Sequence, residues 1–162
     1  MDAMISHAHG LDQNNCALLP RIRQNNLLIE LALVQTSGTS RDLNVLGEPL
    51  DQCNCKPMTG WFRDGSCRTD ATDLGQHTIC CVITETFLTY SKAQGNDLST
   101  PVPAFGFPGL KPGDHWCVCA PRWKQAYEDG MAPPVRLQAT ERSALEIIPL
   151  EVLRLHDQQR MG

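Results

Sequence analysis

Residues 96–114 contain four prolines, Pro101, Pro103, Pro108 and Pro112, interleaved with Gly106, Gly109 and Gly113. Proline has no backbone N–H to donate and clashes with the preceding helical turn, while glycine loses the most entropy on ordering, so this segment supports neither a helix nor an inner strand. Regular structure is therefore confined to the chain on either side. So long a loop inside a compact domain is either functional or a cover over the core. Phe105, Phe107 and Leu110 supply apolar area that favours the cover.

Before the loop, Thr78-Ile-Cys-Cys-Val-Ile-Thr84 is a short apolar, β-branched run that reads as a strand covered on both faces. A side-chain period of two sends Thr78, Cys80 and Val82 to one face and His77, Ile79, Cys81 and Ile83 to the other. Thr84 is suited to N-cap a helix over 85–94, with Phe87, Leu88 and Ser91 on one face and Gly95 at its end. After the loop, His115-Trp-Cys-Val-Cys-Ala120 reads as a second strand, placing His115, Cys117 and Cys119 on one face and Trp116 and Val118 on the other. A helix over 121–129 follows, started by Pro121 and stopped by Gly130. Residues 135–139 alternate like a half-buried strand, and residues 149–157 form a terminal helix carrying Leu150 and Leu153 inward.

Eight cysteines stand at 16, 53, 55, 67, 80, 81, 117 and 119. No basic and apolar leader opens the sequence, so a cytoplasmic location is expected, and a reducing compartment favours free thiols, metal ligands or catalytic thiols over disulfides. No apolar run reaches the roughly 20 residues of a membrane helix. A net charge of −4 gives no basic field for phosphates, so neither nucleic acid nor membrane is expected as a partner. Residues 1–42, polar and rich in Asn and Gln apart from an apolar run at 27–34 and a linker-like 35–40, read as an extension outside a single domain over 43–162. Within that domain, Asp64-Gly65 is a two-residue hairpin signal that would pair Arg63 with Ser66 and Phe62 with Cys67.

Several long strings resemble a bacterial family catalogued as domain of unknown function 2237. They are Asn44-Val-Leu-Gly-Glu-Pro-Leu50, Gly60-Trp-Phe-Arg-Asp-Gly-Ser-Cys67, His77-Thr-Ile-Cys80, residues 87–101, residues 107–120, Arg122-Trp123 and Ala132-Pro-Pro-Val135. The resemblance covers residues 44 to about 156 and implies no activity. The family pattern also implies two cysteines where this chain has Ser66-Cys67, and a Thr-His-Glu where it has Thr140-Glu141-Arg142. Those departures weaken any role for the missing cysteine and histidine.

The expected fold is a small α+β domain. A short mixed or antiparallel sheet from 78–84, 115–120 and 135–139 is covered by helices, with long loops at one end. The leading functional reading is a binding or interaction module, its partner a small molecule or protein, whose cysteines are buried apolar fillers. An alternative is a zinc or other soft-metal site drawn from Cys53, Cys67, Cys80, Cys117 and Cys119, since thiolates bind zinc tetrahedrally, although Cys-x-Cys is not the usual knuckle. A third is an enzyme with one reactive thiol, His77 or His115 as base, and Arg63, Asp64, Asn96, Asp97 or Arg122 as substrate contacts. Arg63, Asp64, His77, Asn96, Asp97, His115, Trp116 and Arg122 form the candidate pocket, expected where the 63–64 turn, the 96–97 loop and the 115–122 segment converge.

Overall fold

A computed structural model describes residues 42–160. The expected extension falls almost wholly outside the described residues, including the run at 27–34, the linker at 35–40 and Cys16. Two strands, β1 (Ile79–Val82) and β2 (His115–Val118), pair antiparallel at the centre, with Ile79 opposite Val118, Cys80 opposite Cys117, Cys81 opposite Trp116 and Val82 opposite His115. Helices α1 (Glu85–Ala93), α2 (Ala120–Glu128) and α3 (Leu150–Leu155) complete an α+β domain.

Alternation along the strands creates two unequal layers. Ile79, Cys81, Ile83, Trp116 and Val118 enter the main core with Phe87 and Leu88 of α1, Trp123 and Ala126 of α2, and Leu153 of α3. Cys80 and Cys117 point the other way, into a small second cluster with Cys53, Cys67 and Ala139. Thr84 caps α1 as its side chain predicts, accepting the Phe87 N–H at 3.1 Å. Gly95, at φ +82°, ends the helix in the left-handed conformation that glycine adopts without strain.

The third expected strand does not form. Residues 134–141 run beside β1, and its free edge is met by hydrogen bonds from Val82 N–H to Pro134 O, Arg136 N–H to Cys80 O and Glu141 N–H to Thr78 O. Between these contacts, residues Leu137–Ala139 coil into a 3-10 turn. The outward coil takes the neighbouring carbonyl away from Cys80, and the Thr140 hydroxyl replaces it, accepting the Cys80 N–H at 3.2 Å while donating to Arg136 O at 2.8 Å. A side chain thus completes what a third strand would have supplied.

The expected hairpin at Asp64-Gly65 is likewise corrected. Residues 59–66 form a wide turn with no strand pairing. Gly60, at φ +91°, lies so close to Ser66 that a Cβ there would stand 2.1 Å from the Ser66 carbonyl oxygen. Phe62 does not oppose Cys67. Its ring is covered by the Arg68 guanidinium at 4.4 Å, while Cys67 is drawn into the cysteine cluster.

The proline-rich segment acts as a cover. Leu98, Phe107 and Leu110 are buried in the core, each worth roughly 1.5–3 kcal/mol of apolar transfer. Phe105 contributes nothing to that anchoring, being 58% exposed on a 3-10 turn over Pro103–Phe105.

Candidate functional site

Four of the cysteines expected to be free thiols or ligands are covalently paired. Cys53 is bonded to Cys80 and Cys67 to Cys117. The Sγ atoms of Cys53, Cys67 and Cys117 lie within 4.8 Å of one another, so the two disulfides are in contact. Among the described residues, Cys81 and Cys119 carry free thiols. They differ sharply. Cys81 is wholly buried in the main core, and the loss of solvent pushes its thiol well above the ordinary value, which makes it a packing group.

Cys119 sits elsewhere. The strand expected to extend to residue 120 stops at Val118, and Cys119 becomes the N-cap of α2 (φ −57°, ψ 128°). The break in alternation separates the two sulfurs expected to share a layer: Cys117 bonds to Cys67, while Cys119 turns to His77.

The turn leading into β1 holds that histidine. The Asp73 side chain is completely buried, and its Oδ2 accepts the His77 backbone N–H at 2.8 Å and the Thr69 hydroxyl at 3.0 Å. Its Oδ1 takes the hydrogen bond from the His77 ring, 2.6 Å from Nδ1. The backbone between them crowds both ring and sulfur: a Cβ on Gly75 would be 2.7 Å from His77 Cε1 and 3.3 Å from Cys119 Sγ. Gln76 O then accepts the Ala120 N–H at 2.9 Å, pinning the turn to the start of α2. Trp61 stacks against the His77 ring, with centroids 5.6 Å apart and planes 17° from parallel.

Electrostatics follow from this enclosure. Burial works to lower the His77 pKa, but the hydrogen bond to Asp73, then hydrogen bonding and charge at Cys119, outweigh it and push the ring up to about 10. For Asp73, burial works upward, while hydrogen bonds from the His77 ring and backbone and the charge of the ring bring the carboxyl below its ordinary value. The imidazole is therefore held as a cation at neutral pH. With Nδ1 committed to the carboxylate, Nε2 is left as the nitrogen for proton exchange.

The remaining candidates are dispersed. The Arg63 guanidinium lies over the Trp116 ring at 5.1 Å. Asp64 pairs with Arg68 and accepts the Ser66 N–H. His115 has Nδ1 3.5 Å from the Arg136 guanidinium, and burial, followed by that charge, lowers its pKa. Asn96 closes the end of α1 through Ser91, Asp97 binds Ser99, Thr100 and Lys92, and Arg122 reaches Gln125. An open groove of about 180 Å³ lined by Asp51, Arg136, Gln138, Asp157, Gln158 and Gln159 contains none of them.

Asp73, Thr69 and Gly75 escaped the sequence reading. Their signal was the spacing of Asp73-Leu-Gly-Gln-His77, in which a glycine lets a carboxylate fold back onto a histidine four residues later. A family model described as an uncharacterised protein conserved in bacteria, domain of unknown function 2237, matches residues 43–157. No curated protein matches the chain.

Proposed function

We propose, from the premise that the chain belongs to this uncharacterised bacterial family and takes no activity from it, that the protein is a thiol-dependent enzyme with Cys119 as nucleophile. His77 is the proton partner, and Asp73 orients the ring. One observation carries the reading: a buried carboxylate 2.6 Å from Nδ1 of a histidine whose ring adjoins a free thiol at a helix start. A thiolate is the attacking form of cysteine, and an imidazolium steadied by a carboxylate is a common way to hold one.

The matching chemistry is acyl transfer. The Cys119 sulfur attacks an electrophilic carbonyl carbon, a C–S bond forms, the bond to the leaving group breaks, and the His77 Nε2 proton passes to that group. Water then attacks the thioester, returning the thiol and a carboxylic acid, with the proton taken back at His77.

The competing interaction-module reading is favoured by Cys81, a thiol used for packing alone. It gives no role to the buried carboxylate. Alkylation of the native full-length chain by iodoacetamide, read residue by residue by mass spectrometry, separates the two. An enzyme site requires Cys119 to react at least about tenfold faster than in His77→Gln, and to become acylated by p-nitrophenyl acetate. Equal alkylation rates in the two proteins, with no acylated Cys119, leave only the module.

Among the described residues no helix is long and apolar enough to cross a membrane. The cytoplasmic location expected from the sequence stands against the two disulfides, which persist in oxidising compartments. A reduced form of the cysteine cluster reconciles them.

A further inference from the structure

We infer that Cys53, Cys67, Cys80 and Cys117, when reduced, form a four-thiolate site for one zinc ion. Three of these sulfurs already lie within 4.8 Å of one another, and the fourth is brought to them by its bond to Cys53 and its place opposite Cys117 in the ladder. In a tetrahedral site with Zn–S of about 2.3 Å, neighbouring sulfurs stand about 3.8 Å apart. Bonded sulfurs separate and unbonded ones close in, and both movements are small enough for side-chain rotation to supply.

The framework suits a metal. Cys80 and Cys117 are fixed by adjacent strands rather than by one flexible knuckle, which explains why the sequence lacks the usual Cys-x-x-Cys spacing. Cys53 comes from a loop tied to the Cys67 turn, because Cys53 N–H and Asn54 N–H both donate to Gly65 O. All four residues are at most 3% exposed, with Ala139 the other member of the cluster, so water is excluded from the site. Four thiolates around a dication leave two negative charges. The Arg136 guanidinium, donating to Cys53 O at 3.1 Å, is placed to offset them.

The exchange balances. Each disulfide takes two electrons and two protons from a dithiol reductant, which becomes a disulfide, and zinc then displaces the four thiol protons into solvent. The site uses neither Cys119 nor His77, so it stands or falls apart from the acyl-transfer reading.

The test reduces the full-length chain with a phosphine under anaerobic conditions, adds zinc or cobalt, and removes unbound metal by gel filtration. About one zinc per chain, the charge-transfer and d–d bands of tetrahedral cobalt bound to sulfur alone, and loss of about four reactive thiols are expected. Cys119→Ser keeps the metal, and Cys53→Ser with Cys80→Ser loses it. Far-UV circular dichroism follows the fold throughout. No retained zinc, a cobalt spectrum with nitrogen or oxygen ligands, binding that survives the double substitution, or a reduced chain that unfolds and is not restored by zinc overturns the proposal.

Discussion

Cys80 and Cys117 face each other directly across the β1–β2 ladder, yet neither is bonded to the other. Each reaches outward to a different loop, Cys80 to Cys53 and Cys117 to Cys67. The strands are thereby used as two anchoring posts for loops with little regular structure of their own.

Removing either bond by paired substitution to alanine destabilises the oxidised protein by about 2–4 kcal/mol, read by urea denaturation under non-reducing conditions. The Cys67–Cys117 bond spans 50 residues and the Cys53–Cys80 bond 27, so loop-closure entropy makes the former costlier by about 0.5 kcal/mol. A reversed order would show that local strain or residual structure outweighs chain entropy.

The same cross-strand pair shares another device. Cys80 N–H donates to the buried Thr140 hydroxyl, and Cys117 N–H donates to the buried Thr59 hydroxyl at 2.8 Å, so a threonine closes each outer edge of the sheet. Thr59→Val or Thr140→Val preserves shape but orphans a buried N–H, and each is expected to cost about 1–3 kcal/mol in thermal or chemical denaturation. Thr140→Val also removes the donor to Arg136 O, so its loss is the larger.

His77 makes stability depend on pH in a defined direction. Its folded pKa, near 10, lies above its ordinary value of 6.5, so the Asp73–His77 contribution is complete below about pH 6.5 and lost as pH rises towards 10. At the acid end the depressed Asp73 pKa keeps the same contribution above the ordinary carboxylate range and loses it as pH falls through its own lower value. Melting temperatures measured across this range should show the advantage of the native protein over Asp73→Asn shrinking at both extremes.

Gly75 is expected to be intolerant of a methyl group for the sake of the site rather than the fold. Gly75→Ala forces atoms against His77 Cε1 and Cys119 Sγ, with an overpacking cost of about 1–3 kcal/mol. Displacement of ring from sulfur should slow Cys119 alkylation severalfold, whereas Cys81 should be unaffected. Unchanged Cys119 kinetics in a folded variant would mean that the two groups do not act together.

Much of the framework was legible from local chemistry. Thr84, Gly95, Pro121 and the β-branched run around Cys80 each act within a few residues, so β1, α1, β2 and α2 emerge near their expected places. The third strand was not legible because its alternation is genuine, but the acceptor for Cys80 comes from Thr140, a choice made by tertiary contact. Asp64-Gly65 misled for the same reason, since Cys67 is committed to a distant sulfur and cannot serve as a hairpin partner. The cluster of Cys53, Cys67, Cys80 and Cys117 followed from strand alternation, whereas Cys119 left it because α2 begins one residue earlier than proline placement indicated.

Trp61 and Cys67 ride on the same turn, one stacked on the His77 ring and the other fastened to β2. The aromatic wall beside the imidazole thus owes its position to a sulfur that belongs to a different layer of the molecule. Severing that fastening frees the indole to lift away, so the shape of the thiol's chamber is set at a distance by the bonding state of its neighbour.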